Sequence, residues 1–459
     1  MSIRRPEFTV TALFLALPLF TASAPAQSPL TLTYYSFGQS EYGLYPGSGV
    51  IAGPAGQLYG TTSESGSFTN CYNGCGTVYE AIPPATADGV WTESALYTFQ
   101  GAPDGSDPGG LAMDNAGVIY GVTYAGGAGP CTVILFDAGC GTVFSLTPPA
   151  SPGGSWTEKI LYNFTGGTDG GGPQSPMVIG AGGVLYGTAA YGGANSACSS
   201  NGVASTGCGT VFSLTPPARP GGTWNFNLLY TFTGFSDGIT PENLVMDLSG
   251  VLYGNTVYGG SDNCPYGFGY RGCGTIFALT PPASTGGAWT KTVPYAFQGG
   301  TDGSRPGGVA IGEVPGGGGS VLYGVTGWGG NVDACGRSDD GCGTAYMLAP
   351  PTVPGGSWTE TILADFPPGQ GYRPSGSLAI GPGGILFGVT AGTENSGFTV
   401  YALIPPASSS AAWIKQVLYK FSCCGPGSPS NIMLVGTRLY GTTYEGGVAN
   451  GGTVWALAP

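Results

Sequence analysis

A short pattern that recurs seven times constrains the fold of this chain more than any other feature. A bulky apolar residue, an aromatic residue and Gly, mostly followed one position later by Thr, recur at intervals of 53 to 70 residues. Two further motifs, of the types GTVF and LYTF, recur with a similar period. The aromatic residues of the first motif are Tyr59, Tyr120, Tyr186, Tyr253, Tyr323, Phe387 and Tyr440. Such a period is typical of solenoids and propellers.

Each unit contains four short runs rich in Val, Thr, Tyr, Phe and Trp, separated by Gly, Pro, Asn and Asp. In the third unit the runs are PMVIG, VLYGTA, GTVFSL and WNFNLLYTF, here named strands a to d. β-Branched and aromatic residues favour strands, whereas Gly and Pro favour turns. The sequence therefore predicts an all-β fold, a seven-bladed β-propeller of four-stranded antiparallel blades.

The two ends of the chain predict how this propeller closes. The last unit stops at GTVWALAP and lacks a strand d, whereas an extra strand d, LTLTYYSF (30–37), precedes the first strand a. We therefore expect the N-terminal strand to pair with the last blade, because closure removes exposed strand edges. The alternative is a repeat array cut at an arbitrary point. A single propeller domain is expected over residues 27–459.

The connection between strands c and d is uniform. A Pro-Pro pair ends strand c, because proline cannot donate a ladder hydrogen bond, and a tryptophan then opens strand d. These tryptophans are Trp91, Trp156, Trp224, Trp289, Trp358 and Trp413. We interpret these connections as structural.

Residues 1–26 have the pattern of a secretory signal peptide. Arg4 and Arg5 precede an apolar run over residues 8–20, and Ala24-Pro-Ala26 offers a small-residue cleavage site. Without this leader the charge is 10 minus 24, or −14, which argues against nucleic acid and anionic membranes as partners. We expect a monomer without a membrane span, which is secreted, periplasmic or at the cell surface.

Ten of the twelve cysteines form pairs, in which one cysteine directly precedes the Gly-Thr of strand c and the other lies upstream in the same b–c loop. Only the five long b–c loops carry a pair, which predicts one disulfide for each loop. The pairs are Cys71 with Cys75, Cys131 with Cys140, Cys198 with Cys208, Cys264 with Cys273, and Cys335 with Cys342. The alternative is zinc, which is disfavoured because the chain has no histidine and the pairs lie in separate units. Adjacent Cys423 and Cys424 could bond to each other, stay reduced or pair between chains.

The b–c loops and the d–a turns emerge on the same face of a propeller. Four of the d–a turns begin with an aspartate followed by Gly: Asp104, Asp169, Asp237 and Asp302. One interpretation is a ring of carboxylates near the central channel, able to bind Ca²⁺ or sugar hydroxyls. The other is that Asp-Gly merely stabilises the turn. We predict no other cofactor.

The motifs LYGTT, GTVF and DGxxP together resemble the GloVer tandem-repeat proteins, also called choice-of-anchor proteins. The resemblance covers residues 34–459 and implies a secreted, glycine-rich propeller that is joined in other members to differing surface anchors. Residues up to Pro459 contain no hydrophobic tail or sorting motif, so the resemblance does not extend to an anchor. It implies no activity and no catalytic residues.

Two functions fit these observations. The first is a non-catalytic propeller whose loop face binds or adheres to an extracellular glycan or protein. The alternative is a carbohydrate-active enzyme, a glycoside hydrolase or lyase, because two carboxyl groups suffice for glycoside cleavage whereas the lack of histidine excludes a Ser-His-Asp triad. Acidic residues expected on the loop face are Glu64, Asp137, Glu242, Asp262, Asp339, Asp340, Glu394 and Glu445. A quinone-dependent dehydrogenase is suggested only by the adjacent cysteines, without a cofactor-binding motif.

Overall fold

The computed structural model describes most of the chain after the leader. It covers residues 32–458 apart from 39–42, 69–70, 72, 85–88, 132–137, 152, 195–197, 199–206, 262, 265–271, 285, 315–319, 331–340, 354, 368–370, 392–397, 408–410, 422–430 and 448. The predicted signal peptide, Cys335, Cys423 and Cys424 lie outside the described residues. Within the described part, no helix is long and apolar enough to cross a bilayer.

The predicted fold is confirmed. Seven antiparallel sheets follow one another along the chain, each with strands a, b, c and d in spatial order, and together they form a seven-bladed β-propeller. We number the blades I to VII.

The first three blades have the following strands. Blade I contains β2 (Val50–Ala52), β3 (Leu58–Thr62), β4 (Thr77–Ile82) and β5 (Thr92–Thr98). Blade II contains β6 (Gly105–Met113), β7 (Ile119–Gly126), β8 (Thr142–Thr147) and β9 (Thr157–Asn163). Blade III contains β10 (Val178–Ile179), β11 (Leu185–Ala189), β12 (Thr210–Thr215) and β13 (Asn225–Thr231).

The next three blades repeat this order, with strand a of blade V divided in two. Blade IV contains β14 (Ile239–Met246), β15 (Leu252–Tyr258), β16 (Thr275–Thr280) and β17 (Thr290–Ala296). Blade V contains β18 (Ser304–Pro306), β19 (Ala310–Glu313), β20 (Ser320–Trp328), β21 (Thr344–Ala349) and β22 (Thr359–Asp365). Blade VI contains β23 (Pro374–Ile380), β24 (Leu386–Thr390), β25 (Thr399–Ile404) and β26 (Ile414–Lys420). Single 3₁₀ turns lie at Ala181–Gly183, Phe235–Asp237, Gly300–Asp302 and Pro382–Gly384.

Blade VII is built from both ends of the chain, as predicted. It contains β27 (Met433–Val435), β28 (Arg438–Thr443), β29 (Thr453–Leu457) and, as its strand d, β1 (Leu32–Ser36). The β1–β29 ladder is antiparallel and runs from Leu32 opposite Leu457 to Ser36 opposite Thr453. The ring is therefore closed by hydrogen bonds between the first and last strands.

The glycine that follows the aromatic residue of strand b makes room for a large ring. In blade III, Gly187 pairs with Phe212 of strand c, and a Cβ on this glycine would collide with that ring. The equivalent glycine meets an aromatic ring of strand c in all seven blades. These rings are fully buried: Tyr79, Phe144, Phe212, Phe277, Tyr346, Tyr401 and Trp455. The repeated aromatic residues of strand c are thus core residues.

The core lies between the blades. The buried cluster between blades II and III joins Val122, Val143 and Phe164 to Leu185 and Phe212. The contacts that join neighbouring sheets run mostly between strands a and b. Strand a therefore forms the inner edge of each blade, and strand d forms the outer edge.

Candidate binding site at the central channel

One residue at the start of strand a has the same unusual backbone in each blade where it is described. The turn that joins strand d to the next strand a has the pattern x-G-x-x-P, for example at 104–108 and 302–306. The residue directly before its proline is here called the rim residue. Its φ is positive and lies between 53° and 61°. The rim residues are Tyr45, Asp107, Gly172, Thr240, Arg305 and Arg373. Five of the six are not glycine, although the left-handed conformation costs an L-residue about 1 kcal/mol.

A hydrogen bond from the preceding blade holds the rim residue in place. The amide of Asp107 donates to the carbonyl of Cys75 over 3.1 Å, and the amide of Arg305 donates to the carbonyl of Cys273 over 2.8 Å. Gly172, Thr240 and Arg373 bond in the same way to Cys140, Cys208 and Cys342, and Tyr45 bonds to Gly451 of the cysteine-free blade VII. The cysteine before Gly-Thr therefore supports the rim through its backbone.

Four of the five predicted disulfides are present, and they stiffen this support. The bonds join Cys71 to Cys75, Cys131 to Cys140, Cys198 to Cys208, and Cys264 to Cys273. The fifth predicted pair includes Cys335, which lies outside the described residues. The disulfides are packed in the core; Cys264 and Cys273, for example, share a cluster with Phe297 of strand d. Each therefore ties a b–c loop to its blade, next to the carbonyl that holds the rim residue.

A polar cavity opens beside the rim, and Asp107 is the rim residue that lines it. Its volume is about 420 Å³, and its walls come from the starts of strands a in blades I to IV and VII and from the ends of strands b in blades I and VII. Hydrogen-bonding side chains dominate the lining: Ser48, Asp107, Gln174, Glu242, Asn243 and Tyr444 are among them. The cavity can therefore accept a ligand with many hydroxyl or amide groups.

Glu242 is an acidic residue of the cavity wall, and the pKa of its carboxyl is raised. Desolvation by burial raises the pKa of its carboxyl to about 7, although a hydrogen bond with the Asn255 side chain opposes this. Asn255 is fully buried, and its Nδ2 donates to the carbonyl of Pro306 over 2.8 Å. At neutral pH, Glu242 is thus present in both its neutral and its charged form.

The rim side chains of blades V and VI form a cationic, aromatic group. The Cζ atom of Arg373 lies 3.5 Å from the centroid of the Trp328 ring. Arg305 lies 5.4 Å from the same ring and 5.4 Å from that of Tyr258. These are cation–π distances, so both guanidinium groups are held against flat aromatic surfaces.

The rim side chains of blades I and II have a different character. Tyr45 stacks on Tyr444 with ring centroids 4.9 Å apart. The pKa of Tyr444 is raised, mainly by desolvation and also by the nearby carboxylates of Glu64 and Asp107. This side offers hydroxyl and carboxylate groups, whereas the opposite side offers guanidinium groups.

The four aspartates singled out in the sequence do not line the cavity. Each accepts a hydrogen bond from the tyrosine seven residues earlier in strand d; the Asp104 carboxylate also accepts from the amide of Gln100, over 2.9 Å. They lie at four different junctions, at the outer ends of strands d, where they stabilise their own turns. Calcium binding by them stays a prediction, and it would compete with these bonds.

These outer junctions differ in charge. Across the junction of blades III and IV, Asp237 forms an ion pair with Lys291 over 2.5 Å. At the equivalent place between blades IV and V stands Glu360, and the hydroxyl of Tyr295 lies within hydrogen-bonding distance of both Asp302 and Glu360. Desolvation, together with a hydrogen bond and repulsion from Asp302, raises the pKa of Glu360 to about 8. Two carboxyl groups thus meet where the previous junction has an ion pair.

Of the acidic residues proposed for an enzyme that the structure describes, only Glu242 lines the cavity, and there it is joined by Asp107, which sequence reasoning missed. Asp137, Asp262, Asp339, Asp340 and Glu394 lie outside the described residues. The rim residues were also missed. The signal that could have identified them is their variability: the Gly and Pro of the turn recur, whereas the residue between them changes from Tyr to Asp, Thr or Arg.

Comparisons with known proteins give a family and distant structural likenesses. Residues 20–268 and 197–455 match the family described as the Gloeobacter/Verrucomicrobia repeat. No curated protein matches the sequence significantly. The PQQ-bound aldose sugar dehydrogenase of Streptomyces coelicolor aligns with 94% of this chain and 99% of its own, at 13% identity and a TM-score of 0.41.

Two further solved structures are similar at the same level. The calcium structure of a Trichoderma reesei carbohydrate-active enzyme of family AA12 aligns with 91% of this chain and 98% of its own, at 11% identity and a TM-score of 0.43. The Xanthomonas campestris gluconolactonase aligns with 93% and 99%, at 11% identity and a TM-score of 0.38. Likenesses this remote carry no information about the chemistry of this chain.

Proposed function

The chain belongs to the Gloeobacter/Verrucomicrobia repeat family, and from this premise we propose that it is an exported binding propeller that seats an extracellular glycan at the mouth of its central channel. The rim residues select the ligand, and the polar cavity receives its hydroxyl groups. The stacked arginines of blades V and VI favour a glycan that carries carboxylates, because guanidinium groups bind carboxylates with paired hydrogen bonds.

One observation carries this proposal: the rim residues share one backbone conformation but have chemically different side chains. Gly172 has the same φ as its neighbours, so a glycine would satisfy the fold at every rim position without strain. Tyr45, Asp107, Thr240, Arg305 and Arg373 instead keep a side chain at a cost of about 1 kcal/mol each. Backbone strain that is kept where a glycine would relieve it is characteristic of functional positions.

The same comparison supplies the experiment. The double variant Arg305→Gly/Arg373→Gly keeps the left-handed backbone and removes both arginine side chains. Wild-type protein and variant are applied to an array of bacterial polysaccharides that includes uronic-acid polymers and neutral glycans. We expect capture of acidic glycans by the wild type, at least a tenfold weaker capture by the variant, and an unchanged or higher melting temperature.

The matched control is Asp104→Asn/Asp302→Asn at the outer junctions, which should capture glycans like the wild type. Equal capture by wild type and Arg305→Gly/Arg373→Gly would show that the rim is not the site. Capture of no glycan by the wild type, with retention of a surface protein instead, would refute the glycan assignment.

A second function is favoured by one specific observation, the raised pKa of Glu242 in the same cavity as Asp107. Glycoside cleavage needs one carboxyl that is protonated near neutral pH and another that is ionised. If the site is catalytic, Glu242→Gln should abolish release of reducing sugar from a captured glycan and leave capture intact. Absence of release by the wild type would exclude this function for that glycan.

A further inference from the structure

Aromatic rings and guanidinium groups alternate along the rim of blades IV to VI. The Cζ atom of Arg305 lies 5.4 Å from the ring centroids of both Tyr258 and Trp328. The Cζ atom of Arg373 lies 3.5 Å from the centroid of the same indole and 5.3 Å from that of Tyr372. The contacts therefore run in the order Tyr258, Arg305, Trp328, Arg373 and Tyr372, and we call this set the cation–π row. All five side chains are partly exposed.

The propeller backbone fixes where the two arginines of this row begin. Arg305 and Arg373 have almost the same left-handed φ, 54° and 56°. Their amides donate over 2.8 and 2.7 Å to the carbonyls of Cys273 and Cys342 in the preceding blades. Because both Cζ atoms lie close to one indole centroid, they are at most about 9 Å from each other. The row thus holds two positive charges at a short and nearly fixed separation.

Two guanidinium groups this close repel each other, and their contacts with the three rings offset part of this repulsion. The chain has only 10 lysines and arginines after the predicted leader, so two of them at one site concentrate positive charge in an acidic protein. A ligand with two negative charges removes the repulsion, whereas a ligand with one removes only part of it. The row therefore favours a ligand with two acid groups.

The chemistry of the guanidinium group narrows the class of anion. A guanidinium group that packs its face on a ring keeps its N–H donors in the plane of the group, where they match the two oxygens of a carboxylate. Contact with the rings also restricts the side chain before binding, so less rotamer entropy is lost in the complex. Two carboxylates that one sugar chain carries at a comparably short spacing are those of neighbouring uronic acids.

We propose that the cation–π row binds two carboxylates at once, carried by neighbouring uronic-acid residues of one glycan chain. This assignment rests on the proposed glycan-binding function and adds the spacing of acid groups that the ligand must have. Once the first carboxylate is bound, the second binds at the high effective concentration set by the short link between them. Trp328 is a positioning residue, because its ring contacts both guanidinium groups.

The test compares ligands that have the same shape and differ by one charge. Digalacturonate and dimannuronate are titrated into the full-length mature protein by calorimetry, each beside its monomethyl esters. We expect the wild type to bind the dianion at least tenfold more tightly than the esters. Arg305→Gly and Arg373→Gly should each reduce this preference to about twofold or less, because one guanidinium group cannot hold two carboxylates. The control Arg438→Gln removes an exposed charge at the start of β28, on the opposite face, and should keep the wild-type preference.

Two further variants test the role of the shared indole. Trp328→Leu removes the ring and no charge, and it should lower the preference for the dianion to about twofold. Trp328→Tyr keeps an aromatic face and should retain at least about half of the wild-type preference. A variant that merely weakened the fold would lower the affinity for dianion and ester alike and leave their ratio unchanged.

The outcomes separate this assignment from the proposed function. Equal binding of dianion and esters by the wild type would overturn the assignment and leave glycan binding by the rim intact. Binding of none of these ligands, with capture of a neutral glycan on the array, would overturn it as well. A Trp328→Leu protein with the wild-type preference would refute the positioning role of the indole. Capture of no glycan at all would overturn the proposed function and the paired-carboxylate site together.

Discussion

The carboxyl pair at the junction of blades IV and V predicts an unusual dependence of stability on pH. Glu360 has a pKa of about 8 in the folded protein against an ordinary value of 4.5. A folded-state pKa that is raised means that the fold favours the protonated form. The contribution of the Glu360 carboxyl to the stability of the fold is therefore fully present below about pH 4.5 and is lost as the pH rises through about 8.

Glu360→Gln removes this dependence, because a glutamine resembles the protonated carboxyl at every pH. The interval from 4.5 to about 8 corresponds to at most about 5 kcal/mol at 1.36 kcal/mol per pH unit. The group is only half-buried, and solvent screening reduces this figure, so we expect the variant to be more stable than the wild type by about 1–2 kcal/mol at pH 8.5. At pH 4.5 the two should be equally stable.

The assay is urea unfolding of both proteins at pH 4.5, 6.5 and 8.5, followed by tryptophan fluorescence. The junction of blades III and IV suggests a second variant. Glu360→Lys would reproduce the Lys291–Asp237 ion pair of that junction and should stabilise the protein at pH 6.5 as well. Lys291→Gln, which leaves Asp237 without its cation, should destabilise. A Glu360→Gln protein that is no more stable at pH 8.5, or equally stabilised at all three values, would refute the reasoning.

Three further outcomes are expected. Gly187→Ala should lower the free energy of unfolding by about 2–3 kcal/mol because its methyl group collides with Phe212. Gly47→Ala, whose methyl group meets only the carbonyl oxygen of Tyr45 at an ordinary contact distance of 4.0 Å, should be nearly neutral in urea titrations. Replacing Cys198 and Cys208 by Ala should lower the free energy of unfolding by about 3 kcal/mol, and replacing Cys71 and Cys75 by Ala should lower it by about 2 kcal/mol. The difference is expected because the two disulfides close loops of 10 and 4 residues. Equal losses in the two variants would contradict this dependence on loop length. Replacing Cys264 and Cys273 by Ala should also weaken glycan capture by the rim, because Cys273 holds Arg305; capture at wild-type strength would separate the disulfide from the site.

The fold could be predicted from the sequence because its determinants are local and repeated. Each LYGT motif predicts a strand whose glycine lies opposite an aromatic ring of strand c. The last unit lacks a strand d and the strand at 30–37 has no unit of its own, so this strand is assigned to the last blade. The site could not be predicted in the same way. The residue before a proline is normally extended, so nothing in the sequence around Arg305 indicates a left-handed residue held by a carbonyl from another blade.

The aspartates show a different limit. The pair Asp-Gly at 104–105 correctly indicates a turn, but a turn between strands d and a touches both edges of the sheet, and the sequence does not say which edge the carboxylate meets. Hydrogen bonds from the Tyr97 hydroxyl and the Gln100 amide hold the Asp104 carboxylate at the outer edge. Similarly, the sequence does not distinguish Glu242 from other loop acids, because its burial arises from strands far apart in the chain.

The ladder that joins β1 to β29 also determines how the disc responds to mechanical load. Leu32 and Leu457 face each other at the same end of this antiparallel pair. Tension applied through these two residues would therefore peel the strands apart one bond at a time rather than shear all bonds together. The disc should open at this seam, at low force, while the other six sheets stay intact.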